Sequence, residues 1–460
     1  MEYIKRILEV NINIFIIILL GFISGILLLS YKFTFFLLIL SGFLLLLAVR
    51  KIYWILYLII LFVPLRGIQQ VFIPKEYFLG KTLFIHDILF IFVIIGLLFQ
   101  LQRIRLKRNL IFNVDKANIF FAFVIIYGFI QGILHNYASV YRSSQGLIFY
   151  LIFPFLILIL QKSYIREKHR YIFFLHTYFI AINFIALIFS LGLLNFLIGS
   201  QKPMMTVGFL RPNYYIDTII AVLSIFWGIL GTLFSESRLE KILSNMCLIL
   251  GFAVLILSVT RGFIIGFALS LLLLCVIIKL IKKDISFLKL LKLISLFLLV
   301  GIFLTYFGNF NIKDVYTNRF LEAREGMEDR LAEAKAYYNS FKENPILGHG
   351  FGAPVIIPIV YGGETTYCHN EYLYFLHATG IIGFLIFIFF ISKLLRVSFY
   401  KIKISNDKKD KLIASFSFIT IISFMIISFT SPEFRSTTTV PFLITLLSFM
   451  HNIKGDASIK

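Results

Sequence analysis

Residues 242–280 read ILSNMCLILGFAVLILSVTRGFIIGFALSLLLLCVIIKL. Two apolar runs, 242–259 and 262–279, flank a tight turn that holds Arg261. Each run matches the roughly 17–25 residues that carry a helix across a ~30 Å hydrocarbon core. Lipid offers no partner for free backbone N–H and C=O groups, so such runs must be helical. The stretch therefore reads as a transmembrane hairpin with a guanidinium at its turn. The same pattern recurs along the chain, near 11–30, 33–49, 52–64, 83–101, 118–134, 146–161, 171–198, 214–234, 290–307, 372–391, 412–429 and 438–452. The short run at 52–64 ends on Pro64 before an apolar stretch at 71–74, a pattern that suits a re-entrant segment. The expected fold is an all-α polytopic membrane protein with about 12–14 transmembrane helices.

Composition agrees. Hydrophobic residues make up 60% of the 460 and charged residues 15%, well below the quarter common in soluble domains. A net charge of +21 suggests a nucleic-acid partner until the charges are placed. Segments expected inside carry 29 Lys and Arg, against 9 in the short segments expected outside, so the excess sets topology and no nucleic acid is implied. Both termini are expected in the cytoplasm. Lys5 and Arg6 precede an apolar run at 12–29 that is too long for a cleaved signal and lacks a small-x-small site, so it reads as a first span. The three cysteines give no disulfide framework: Cys247 and Cys275 fall in spans and Cys368 stands apart from them.

One long segment, 308–371, differs from the rest and is expected on the outer face. It holds nine acidic residues and a net charge of −3. Residues 318–343 read as a helix that stops at Asn344-Pro345, with Met327, Leu331, Ala334, Tyr338 and Phe341 as an apolar stripe flanked by Arg319 and Arg330. Gly348-His349-Gly350-Phe351-Gly352 reads as a flexible turn.

Three motifs stand at outer helix mouths. His369-Asn370 precedes a span that carries Gly380-Ile381-Ile382-Gly383, where glycines permit close helix approach. The histidine suits proton transfer near neutral pH, or simply caps the helix at the interface. Arg261 sits in the Ser258-Val259-Thr260-Arg261-Gly262 turn, and Arg211 in Gly208-Phe209-Leu210-Arg211-Pro212-Asn213. Each arginine either binds an anion or snorkels to water. Arg142 is a weaker member of the set, and His86, His135 and His349 lack metal-ligand spacing. Taken together, several arginines and one histidine on one side of the membrane suit a diphosphate-bearing substrate: guanidinium forks bind phosphate oxygens and stabilise charge growing on a leaving group. No Asp-x-Asp metal pair stands on that side.

On these residues the chain resembles the O-antigen ligase / O-antigen polymerase superfamily over roughly 205–391. The resemblance rests on the Ser-x-Thr-Arg-Gly turn, the single long loop with Asn-Pro-Ile-Leu-Gly-His-Gly-Phe-Gly, and His-Asn followed after nine residues by Gly-x-x-Gly. Arg261 is followed, after three intervening residues, by Ile265, where the family has Leu. The resemblance implies a GT-C-type glycosyltransferase in the bacterial inner membrane, with its active site in and around one large extracytoplasmic loop. It implies N-terminal helices over 1–204, a core over 205–391 and C-terminal helices over 392–460. The implied donor is an undecaprenyl-diphosphate-linked glycan, and the acceptor is lipid A-core for a ligase or another carrier-linked repeat unit for a polymerase. No metal or other cofactor is implied. His369 would then be the base, Arg261 and Arg211 would hold the diphosphate, and Arg330 would be a third contact. A flippase or transporter is the competing class, and it would favour mid-membrane ionisable residues and two similar halves. Neither is evident in the sequence.

Overall fold

The computed structural model describes residues 116–190, 217–258, 260–281, 323–357 and 363–454, together with Trp54, Tyr57, Leu58, Ile60 and 92–97. The chain divides into two compact units, Met1–Leu58 with Phe84–Arg105, and Ile59–Leu83 with Leu106–Lys460. The architecture below belongs to the second. The expected spans near 11–30, 33–49 and 290–307 lie outside the described residues, as do most of 52–64 and 83–101.

The chain is an all-α polytopic membrane protein. Its described helices are α1 (Lys116–Leu134), α2 (Val140–Ser190), α3 (Thr218–Phe234), α4 (Arg238–Ser258), α5 (Arg261–Ile281), α6 (Ala323–Glu343), α7 (Glu371–Ile404), α8 (Lys408–Ile427) and α9 (Val440–His451). Two three-residue strands, β1 (Val355–Ile357) and β2 (Gly363–Thr365), pair antiparallel between α6 and α7, with Ile356 opposite Glu364. Among the described residues, six segments are long and apolar enough to cross a membrane: Lys116–Leu134, Val140–Gln161, Ser163–Ile188, Arg238–Ser258, Glu371–Ile404 and Lys408–Ile427. Helices α3 and α9 and the Arg261–Val276 part of α5 are shorter apolar helices. The expected loop at 161–171 is helical instead, because its charges find partners without unwinding: Glu167 accepts from Arg166 (2.9 Å) and Arg170 (3.2 Å).

Helix α3 is the centre of the bundle. It is apolar on every face, the pattern of a helix enclosed by other helices, and it packs on α2, α4, α5 and α8. Trp227 is fully buried, edge-on to Phe416 of α8 and to His176 of α2. At Gly228, Gly231 and Gly251 the α3 and α4 backbones come so close that a side-chain carbon would strike the facing helix. Polar links add to the packing on α4, from Ser224 Oγ of α3 to the Cys247 carbonyl (2.8 Å) and between His176 Nε2 of α2 and Ser244 Oγ (2.9 Å). Such interhelical hydrogen bonds contribute about 0.6 kcal/mol each in lipid. Conversely, large apolar side chains such as Phe123, Leu134, Ile265 and Leu272 point out of the bundle, as lipid contact requires.

The two ends of the bundle differ. One gathers the turn at α8, with Asp407 and Asp410 held by Lys168 (3.3 and 2.8 Å), Tyr164 bonded to Asp410 (2.7 Å) and Lys409 paired with Glu240 (3.2 Å). The other gathers the starts of α3, α5, α7 and α9, the end of α8, and the described residues of 328–357 and 363–370.

Helix α7 is broken at Gly380, whose φ of 64° and ψ of −171° are non-helical and open essentially to glycine alone. The break frees backbone groups, and the turn after α6 satisfies them. Ile381 N–H donates to the Pro345 carbonyl (2.9 Å), while the carbonyls of His377 and Ala378 accept from His349 (3.0 Å) and Gly350 (2.8 Å). Phe351, fully buried, donates its N–H to the Gly128 carbonyl of α1 (2.9 Å). The Gly348–Gly352 segment, expected as a flexible turn, is a wedge fixed between α1 and α7. Sequence gave no sign of this because its partners are backbone atoms. Gly383 does serve close approach, facing Val124 of α1, whereas Gly380 serves the break.

Candidate active site

The site is assembled around Thr430, in the connection between α8 and α9. Arg330, on the exposed middle of α6, donates from Nη1 to the Thr430 carbonyl (2.8 Å). Helix α5 meets the same residue, since a side-chain carbon at Gly262 would lie 2.6 Å from Thr430 Oγ1. Arg261, the first residue of α5, therefore stands beside this junction, half-buried. The α4–α5 turn is as tight as expected, because the Thr260 carbonyl already accepts from Phe263 and Ile264 (3.1 Å each). Among the described residues no carboxylate pairs with Arg261.

His369 reaches the junction through α7. Asn370 caps that helix, its side chain accepting from Leu373 N–H (3.1 Å), and Glu371 N–H donates to the Ser428 carbonyl (2.9 Å), two residues before Thr430. His369 thus lies just outside the helix, so the capping role falls to its neighbour. Its Nδ1 lies 2.8 Å from Glu333 Oε2, and its backbone N–H donates to Glu333 Oε1 (2.6 Å). Glu333 is one helical turn beyond Arg330, which places both on one face of α6. Burial works against the Glu333 charge, but the hydrogen bonds from His369 outweigh it and hold the carboxyl below its ordinary range. Tyr367 stands edge-on to the imidazole, ring centroids 4.7 Å apart.

A third arginine, buried, supports this face. Arg435 is buried against buried Glu371 (Nε to Oε1, 3.4 Å), stacks on Tyr374 at 3.7 Å from the ring centroid, and donates from Nη2 to the Cys368 carbonyl, next to His369. Burial disfavours its charge, yet Glu371 and the surrounding rings raise its pKa above the ordinary value. Burying such a pair stabilises little in net terms, but losing one partner strands the other.

Of the residues singled out by sequence, His369, Arg330 and Arg261 converge on the 428–430 connection. Arg211 and Arg319 lie outside the described residues. Arg142 is exposed at the start of α2, and His135 stacks on Tyr137. His349 is spent in the wedge, donating to the Ser340 carbonyl (2.8 Å) and stacking on His377. Two members were not anticipated, Glu333 and Arg435. Glu333 was one of nine loop acids, and its position three residues after Arg330 was the available signal. The α6 face was also misjudged: Leu331 and Tyr338 of the apolar stripe are about half exposed, while Glu333 and Tyr337 are buried. The inward face is the one that meets His369 and His377.

In comparison with known families, residues 246–388 match the O-antigen ligase family model, so the chain carries a domain of that superfamily. The match takes in Arg261, Arg330, Glu333, His369 and the Gly380 break, and it ends before Arg435. A search of curated proteins finds no match to the chain.

Proposed function

Taking the O-antigen ligase domain as premise, we propose that the chain transfers a glycan from an undecaprenyl-diphosphate carrier to an acceptor hydroxyl on the outer face of the bacterial inner membrane. The observation that supports this best is the meeting of Arg330, the Arg261 end of α5 and the His369 end of α7 at the 428–430 connection. The charge bias of the short loops supports an outward position for this end of the bundle.

In the proposed reaction His369 Nε2 takes the proton of the acceptor hydroxyl. The freed oxygen bonds to the anomeric carbon of the donor sugar. The bond from that carbon to the carrier diphosphate breaks, and its electron pair goes to the diphosphate oxygen. Arg261 and Arg330, with Arg211, hold that oxygen and its neighbours; the guanidinium fork matches phosphate geometry and stays charged at any working pH. The products are the new glycoside, the carrier diphosphate and a protonated imidazole, which returns its proton to solvent.

The acceptor assigned is lipid A-core, the ligase reaction. It is tested by reconstituting the protein with a carrier-linked glycan and offering two acceptors. Glycan appearing on lipid A-core supports the ligase. Lengthening of the carrier-linked chain alone replaces it with a repeat-unit polymerase that uses the same donor site.

A further inference from the structure

We propose that Glu333 is a positioning residue that fixes the tautomer of His369, so that Nε2 is the atom that accepts the proton. The inference rests on His369 being the base.

The geometry is a two-point grip. One carboxylate oxygen of Glu333 takes the backbone N–H of His369 (2.6 Å) and the other faces its Nδ1 (2.8 Å), so both the residue's position and its ring are held by one side chain. An ionised carboxylate only accepts hydrogen bonds. Nδ1 must then carry the hydrogen, and the neutral ring keeps its lone pair on Nε2. The carboxylate is shielded, 4% exposed, whereas the imidazole keeps 26% of its surface open, so the ring is the member a substrate can reach. When Nε2 gains a proton, the new positive charge lies beside a fixed negative one. The other charged or titratable groups around the ring cannot substitute. Tyr367 offers a ring edge, Arg435 holds the Cys368 carbonyl and pairs with Glu371, and Arg330 turns to Thr430. Among the described residues, Glu333 is the one carboxylate within ion-pair distance of His369.

The grip also dictates what an amide would do. In Glu333→Gln one of the two contacts becomes an NH2 group. If the amide oxygen keeps the backbone N–H, the NH2 faces Nδ1 and forces the hydrogen onto Nε2, the wrong tautomer. If it turns over, two donors face each other at the backbone. Gln, the closest match in shape, is therefore expected to be at least as damaging as Ala.

The test pairs spectroscopy with kinetics. With 15N-histidine labelling in micelles, and His369→Asn identifying the signal, the unmodified protein should show hydrogen on Nδ1 and a bare Nε2. Hydrogen on Nε2 would overturn the proposal without any Glu333 variant. In Glu333→Gln the pattern should reverse, with the hydrogen on Nε2 and Nδ1 bare. Release of carrier diphosphate from undecaprenyl-diphosphate-linked glycan should fall at least ~100-fold in kcat at neutral pH, with KM changed only a few-fold; tautomer reversal costs up to ~10⁴-fold in the serine-protease triad. Wild-type kcat and pH profile in Glu333→Gln, with His369→Ala inactive, would sink the positioning role and leave the base assignment standing. Full activity in His369→Ala would instead remove the base assignment on which the inference depends.

Discussion

Replacing Gly380 by alanine tests whether the break in α7 and the wedge that fills it are one structural unit. At φ 64°, ψ −171° a residue with a side chain costs about 1–3 kcal/mol to hold. The added carbon would also overlap the Ile346 carbonyl, a backbone atom of the wedge that cannot rotate away. If the wedge withdraws instead, three short backbone bonds are lost, those of Ile381, His349 and Gly350 (2.8–3.0 Å), at roughly 0.5–1.5 kcal/mol each. The two routes together predict destabilisation of about 1–5 kcal/mol. The assay is SDS titration of purified protein in mixed micelles. Gly363→Ala is the control, because nothing lies within 4 Å of its added carbon; it should stay within about 0.5 kcal/mol of the parent. Because His349 ties the wedge to Ser340 of α6, Gly380→Ala should also disturb Glu333 and lower transfer. A Gly380→Ala protein as stable and active as the parent would refute the reasoning.

Three further outcomes are expected. Arg261→Lys should lower transfer by ~10²-fold, because a point charge replaces a fork on the leaving diphosphate; near-parental turnover would mark the side chain as a membrane-surface anchor. Arg435→Ala should destabilise the protein by about 3–5 kcal/mol in the same SDS titration, since it strands buried Glu371. Glu333, with a folded pKa below its unfolded one, contributes stability that is present above the unfolded value and lost as pH falls through the folded one. The loss of stability on acidification below the ordinary carboxylate range should therefore be smaller in Glu333→Gln, measured by thermal unfolding across pH.

The helices were legible because lipid leaves the sequence little choice. The runs at 118–134, 242–259, 262–279, 372–391 and 412–429 all fall within observed helices apart from a residue or two at their ends, and the turn at Arg261 was readable from a single charge between two spans. Segment 161–171 was misjudged because charge alone marked it as a loop, while its charges pair within the helix and with α8. At the site, His369 and Arg261 stood out as lone polar groups at helix mouths. Glu333 and Arg435 did not, because an acid in an acidic loop and an arginine in a short connection become informative only once burial is known. The role of Gly380 was hidden for a different reason: a glycine that breaks a helix and one that packs against a neighbour look alike in sequence.

The role of His369 as the base in glycan transfer is open to a direct measurement of turnover. Purified protein and its His369→Ala variant, matched for insertion and stability, would be reconstituted with undecaprenyl-diphosphate-linked glycan and an acceptor, and the carrier diphosphate released per minute would be measured. The parent should turn over and the variant should show none above background; equal turnover by both would rule out His369 as the base.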